Sequence, residues 1–331
     1  MKNNLIVTVL AIFIFSAGCA LAGDNTTLPV PADSGPGKKL ISMKGVGIDL
    51  PQQDFIDMKD AGVEVISTEW GMEQSVGTAR AFLDQAQTAG LKVIMDGGFS
   101  STAWGFTDSD WQRLPKGKRP VWQKERVQSW INALKDHPAI YAWDISNEFG
   151  ENLPSGAGAG CPDWPNSRIT VEQLKQARAD VLEADPTRPI HARMYGGDVG
   201  EFPDHVKAML DNKIADIISL NLYSNYVSNN KLQWPTVIAD AGAFFVEAIK
   251  RRQPEVKVWM SLSAFEYPGQ FQRTTSEDLE RDIAEAVKIQ ELDGISFFCW
   301  GPVDQWDVKG DWYLPRTGPE LWTVIKEKFK N

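Results

Sequence analysis

The chain has 331 residues, 43% of them hydrophobic and 24% charged, with a formal net charge of −10. This is the composition of a globular protein with ample apolar material for a core. The acidic balance argues against a nucleic-acid partner, whose phosphates call for basic patches, and leaves uncharged ligands such as sugars open.

Residues 1–22 read as an export signal outside the fold. Lys2 supplies the positive start, and the apolar run from Leu5 to Phe15 is too short for a comfortable bilayer span. Two exits stay open. Ala20-Leu21-Ala22 is an A-x-A cleavage site, whereas Ser16-Ala17-Gly18-Cys19 resembles a lipobox that would leave Cys19 lipidated at the membrane. Either exit places the protein outside the cytoplasm, secreted, periplasmic or lipid-anchored. Residues 23–41 are polar and rich in Pro and Gly, as in a flexible linker. Cys161 and Cys299 could pair there, or stand as a loop thiol and a buried strand thiol. The three histidines, His137, His191 and His205, show no ligand spacing, which argues against zinc and against a Ser-His-Asp triad. No cofactor or metal is expected, and the expected state is a monomer.

From Leu40 onward, short apolar runs alternate with amphipathic patterns. Strands are expected at 44–50, 63–70, 91–98, 140–150, 189–195, 215–223, 256–263 and 294–300. Between them, Phe55 and Met58 mark a helix ended by Gly62, and Ala79, Phe82, Leu83 and Ala86 a second ended by Gly90. Val127, Trp130, Ile131 and Leu134 share one face before Pro138. Thr170 with Gln173 forms a capping box for a helix lined by Leu174, Ala177 and Val181, and Thr274 with Glu277 is expected to cap another. A helix through residues 237–249 and a closing one through Leu321 and Ile325 complete the set. Eight strand–helix repeats with no glycine fingerprint after the first strand predict a single-domain (β/α)8 TIM barrel over residues 42–331, rather than a doubly wound sheet.

A barrel displays its chemistry at the strand carboxyl ends. Asp49, Glu69, Asp96, Glu148, Tyr223, Glu266 and Trp300 fall there, with Asp304 and Asp307 beyond, so the mouth gathers acids and aromatics. Glycoside hydrolysis needs such a set: one carboxylic acid protonates the leaving oxygen, a second carboxylate attacks carbon or activates water, and aromatic faces stack on sugar rings.

On these residues the chain resembles the clan A glycoside hydrolases, nearest to family 5 cellulases and mannanases and to the family 2 catalytic barrel. Asn147-Glu148 ends strand four, as the clan's Asn-Glu pair does. Asp185-Pro186-Thr187-Arg188-Pro189, the run DIISLNLYSNY ending strand six with Tyr223, and Trp300 after strand eight extend the likeness. The resemblance implies that Glu148 is the acid/base of a retaining mechanism on a β-linked poly- or oligosaccharide, and that Asn147 binds the sugar 2-hydroxyl. Tyr223 and Trp300 would contact substrate, and Glu69, Asp96, Trp70 and Trp104 are further candidate contacts. The departures are definite. Where the clan has its nucleophile glutamate, this chain has Leu262 or Ser263, and the first glutamate, Glu266, is the candidate nucleophile; strand parity sends it to the other face from Ser263, and a bulge or longer strand could put it in place.

Each residue also has a plainer reading. Glu69 and Asp96 could serve only hydrogen bonding at the mouth, and the aromatics could be core. Two other functions stay open: a barrel that binds carbohydrate without cleaving it, and a metal-using isomerase or lyase with Mg²⁺ held by Asp49, Glu69 and Asp96.

Overall fold

The computed structural model describes residues 39–105, 120–148, 169–196, 199, 203–228, 231–267, 269–301, 314–315 and 318–330. Eight parallel strands close into a barrel in chain order: β1 Leu40–Val46, β2 Val65–Thr68, β3 Lys92–Asp96, β4 Ile140–Asn147, β5 Ile190–Tyr195, β6 Ile217–Asn221, β7 Lys257–Ser263 and β8 Gly294–Phe298. Helices α1 Gln52–Asp60, α2 Val76–Thr88, α3 Lys124–Leu134, α4 Val171–Ala184, α5 Pro203–Asp211, α6 Ala243–Arg252, α7 Ser276–Ala286 and α8 Pro319–Phe329 follow the strands in turn. This is the expected (β/α)8 barrel.

The helices form where the sequence places an apolar stripe behind a cap. Phe82, Leu83, Ala79 and Ala86 are the buried face of α2, and the Ser75 side chain accepts the Thr78 N–H at its start. The Thr170–Gln173 capping box is present on α4. These stripes and the outer strand faces make one large core between sheet and helices. A smaller cluster, including Leu40, Val65, Ile94, Ala142, Ile217 and Trp259, consists of strand residues alone and plugs the barrel. Trp259 lies so close to Gly294 that a Cβ there would sit 2.8 Å from the indole. Above the plug the strands turn polar, with Ser42, Ser219, Ser261 and Ser296 all buried.

Some boundaries differ from expectation. β1 starts at Leu40, inside the expected linker, because its apolar run pairs from there with β8. It ends at Val46, and Asp49 falls in the exposed turn before α1 rather than at a strand end. The α7 cap is Thr275, which accepts the Asp278 N–H; Thr274 is buried and donates to the Phe265 carbonyl. Before α6 the chain makes a π-helical turn, Ile238–Gly242. A two-residue hairpin, Val227–Ser228 with Lys231–Leu232, decorates the β6–α6 connection.

Candidate active site

Glu148 follows β4 directly. Its φ of 47° is in the left-handed region, unusual for a residue with a Cβ, and its N–H donates to the Arg193 carbonyl on β5 at 3.0 Å. The chain therefore turns sharply at Glu148, and the turn is tied to the neighbouring strand. Its carboxylate accepts the Asn221 Nδ2 at 2.6 Å. Asn221 ends β6, and its Oδ1 in turn accepts from Lys44 Nζ of β1 at 2.7 Å. Lys44 reaches Ser261 Oγ at 3.3 Å as well.

A second cation crosses the lumen in another direction. Arg193 of β5 donates from Nε to Asp144 Oδ2 at 2.7 Å, from Nη1 to Glu69 Oε1 at 2.6 Å and from Nη2 to the Thr68 carbonyl at 3.1 Å. Its guanidinium lies 5.0 Å from the Phe99 ring centre. Lys44 and Arg193 are both buried, and together they floor the mouth. His191 sits below, with Nε2 on Ser219 Oγ at 2.7 Å and Nδ1 3.2 Å from Asp144 Oδ1, off hydrogen-bond alignment.

Charge follows from this packing. Burial raises the Glu148 carboxyl above its ordinary range, with Asn221, Lys44 and Arg193 opposing and Glu69 adding to the rise. Burial, with Arg193 nearby, brings Lys44 down to about 8. For Asp144 burial works against the charge, but Arg193, His191 and Lys44 outweigh it and the carboxyl stays below its usual range. Burial would lower Arg193, yet Asp144 and Glu69 outweigh it and hold the guanidinium protonated. Burial lowers His191 despite Asp144, leaving a neutral ring. Burial and the nearby Glu148 and Glu69 carboxylates push the Tyr223 hydroxyl well up, so it remains a donor. The site thus places Glu148, with a carboxyl raised above its ordinary range, near the Glu69 side chain that pairs with Arg193.

The sequence candidates divide clearly. Glu148, Glu69 and Tyr223 come together, and Asn147 closes β4 in register with Arg193. Asp96 is fully buried and spends its oxygens on the Gly98, Phe99 and Met72 N–H groups at 2.8–2.9 Å. Burial raises its carboxyl, against these bonds and one to Ser100. Trp70 is buried edge-on against Phe82 at 5.2 Å. Trp104 is buried, donates to the Gly98 carbonyl and packs on Trp122. Trp300 is buried between Asp54 of α1 and Trp322 of α8, on the helix side of the barrel. Glu266 lies half-buried on the β7–α7 connection, outside the bonds that join the groups above. Asp304, Asp307, Cys19 and Cys161 lie outside the described residues; Cys299 is buried, with its Sγ donating to the Gly301 carbonyl at 3.5 Å.

Asp49, Glu69 and Asp96 do not converge on an ion: one is exposed, one holds Arg193 and one organises backbone. Among the described residues no group of three or more His, Cys, Asp or Glu is placed to bind a metal. Sequence reasoning missed Lys44, Asp144, His191, Arg193 and Asn221. The signal was present: these are polar residues inside otherwise apolar strands, and in a sheet covered on both faces they must point into the lumen and pair there.

No family model matches the chain, and no curated protein matches it in sequence. Solved structures do match in shape. A GH2 β-galacturonidase from Eisenbergiella tayi, with galacturonate bound, superposes with a TM-score of 0.54 at 17% identity, over 87% of this chain and 50% of that one. A β-D-glucuronidase from Dictyoglomus thermophilum gives 0.54 at 15% identity, over 89% and 50%. A cold-adapted β-galactosidase from Rahnella sp. R3 gives 0.56 at 14% identity, over 91% and 57%. The chain thus spans little more than half of these proteins, and at identities this low the likeness is one of fold alone, a (β/α)8 barrel.

Proposed function

We propose that the chain is a glycoside hydrolase acting on a β-linked poly- or oligosaccharide, with Glu148 as the acid/base. The observation that carries this reading is the Glu148 carboxyl at the end of β4, held by Asn221 and raised by burial above its ordinary range. A carboxylic acid with a raised pKa at a barrel mouth suits proton donation to a leaving oxygen at neutral pH. The galacturonidase, glucuronidase and galactosidase structures that share the barrel add support. Asn147 would bind the sugar at the cleavage site, with Tyr223 as a hydroxyl donor beside it. The resemblance offers Glu266 as the second carboxylate.

Export through residues 1–22, by A-x-A cleavage after Ala22 or by anchoring through Cys19, and a monomeric state belong to the same proposal.

Turnover of a panel of β-glucans, mannans, xylans and aryl β-glycosides by the wild type, with a loss of about 10²–10⁴-fold in Glu148→Gln, is the expected result. Equal turnover by the variant would refute the role of Glu148. The second reading, a barrel that binds carbohydrate without cleaving it, is favoured by one observation: Ser263 closes β7 where the resemblance calls for a nucleophile. Saturable binding of a panel sugar with no turnover would select it.

A further inference from the structure

We propose that Glu69, at the end of β2, is the carboxylate that attacks the anomeric carbon in partnership with Glu148; this rests on the reading of Glu148 as the acid/base. Four features of the mouth support it.

One residue positions both groups. The Arg193 main-chain carbonyl holds the Glu148 N–H, and its side chain holds the Glu69 carboxylate. Arg193 is itself fixed by Asp144, the Thr68 carbonyl and the Phe99 ring, so Glu69 and Glu148 share a rigid reference across the lumen.

Glu69 can be reached by a ligand. Its side chain is 19% exposed, whereas Asp144, the other carboxylate on Arg193, is 1% exposed. Glu69 is therefore the member of the triad open to the mouth.

The β7 side of the mouth is apolar. Beyond Ser263, the Phe265 ring packs 5.3 Å from Tyr223 and 5.0 Å from Phe298. Phe271 packs on both rings, 5.8 Å from Tyr223 and 5.0 Å from Phe265. Glu266 follows Phe265 in the chain, and among the described residues it shares no hydrogen bond or ion pair with Arg193, Lys44 or Glu148.

The chemistry balances electrostatically. A Glu69 oxygen forms a bond to the anomeric carbon, the bond from that carbon to the leaving oxygen breaks, and the leaving oxygen takes the Glu148 proton. Ester formation neutralises Glu69, but Arg193 keeps Asp144 and is not left as an unpaired buried cation. Water then adds to the anomeric carbon and gives a proton to Glu148, and Glu69 leaves as a carboxylate to re-pair with Arg193. The net reaction is hydrolysis with retention.

The test uses 2,4-dinitrophenyl β-glycosides of glucose, mannose, galactose, xylose and glucuronic acid, with and without sodium azide. Their leaving group needs no proton, so loss of the acid and loss of the nucleophile separate. Glu69→Ala should lose at least about a thousandfold in turnover. Azide should restore turnover and give the α-glycosyl azide. Glu148→Ala should give the β-glycosyl azide. Glu69→Gln, which keeps an acceptor for Arg193, should lose turnover while its thermal transition by circular dichroism stays near that of wild type. The α-azide from Glu266→Ala, with Glu69→Ala still active, would overturn the proposal, as would a wild-type product of inverted configuration. Absence of turnover by the wild type on every glycoside would instead refute the hydrolase reading on which the proposal stands.

Discussion

Lys44 decides which end of the Asn221 amide faces Glu148. Because its ammonium can only donate, it takes the amide oxygen and leaves the Nδ2 for the carboxyl group. Lys44→Met removes a cation that lowers the Glu148 pKa and frees the amide to turn, and both changes act upward. Glu148 donates as the protonated acid, so activity is present below its pKa and lost as pH rises through it. The alkaline limb of a kcat/KM profile on an unactivated β-glycoside should therefore move to higher pH in Lys44→Met. An unmoved or lowered limb would remove Lys44 from the positioning of Glu148. Arg193 is the counterpart on the opposite diagonal, and its buried charge is tolerated because two carboxylates and a carbonyl surround it.

At the level of elements, the strand ends are latched by acids that the sequence offers equally well as ligands. Asp96 closes β3 by accepting four backbone N–H groups, three from its own following turn and one from Met72 after β2. A buried carboxylate bonded in this way organises two connections at once. Gly71 makes the approach possible: a Cβ there would stand 1.9 Å from Asp96 Oδ2. Gly71→Ala should destabilise the fold by about 1–3 kcal/mol, the usual cost of overpacking, read as a lower midpoint in urea unfolding. A midpoint equal to wild type would show that Asp96 can yield. Trp104 and Trp130 rest on the same segment, donating to the Gly98 and Asp96 carbonyls. The aromatics near this strand thus build the loop scaffold under the mouth.

Across the whole molecule, closure joins the first strand to the last. β1 pairs with β8 from Leu40 to Lys44, and α8 packs over the seam with Leu321, Trp322, Val324 and Ile325 buried. Gly62 meets the end of α8 so closely that a Cβ would lie 2.4 Å from the Phe329 carbonyl oxygen. Burying four such side chains contributes together about 6–12 kcal/mol, comparable to the whole stability of a typical domain. A chain truncated after Gly318 should accordingly lose its cooperative thermal transition in near-ultraviolet circular dichroism. A sharp transition in the truncated chain would mean that the seam closes without α8.

The eight-strand repeat and the address of Asn147-Glu148 at the end of β4 were legible in the chain, because burial on both faces of a parallel strand leaves an apolar run and helices leave a stripe. Caps were legible to within a residue, as Thr275 in place of Thr274 illustrates. The circuitry of the site was not. Lys44 meets Asn221 at a separation of 177 residues and Arg193 meets Glu69 at 124. Polar residues inside strands buried on both faces mark the face that looks into the lumen, but not which partner each one meets there. Likewise Trp300 is an aromatic just past β8 by sequence alone, and only packing against Asp54 and Trp322 assigns it to the helix side. Local pattern determined that a barrel forms and where Glu148 stands in it; barrel closure alone decided which charges face one another across the lumen, because that contact set depends on register and curvature.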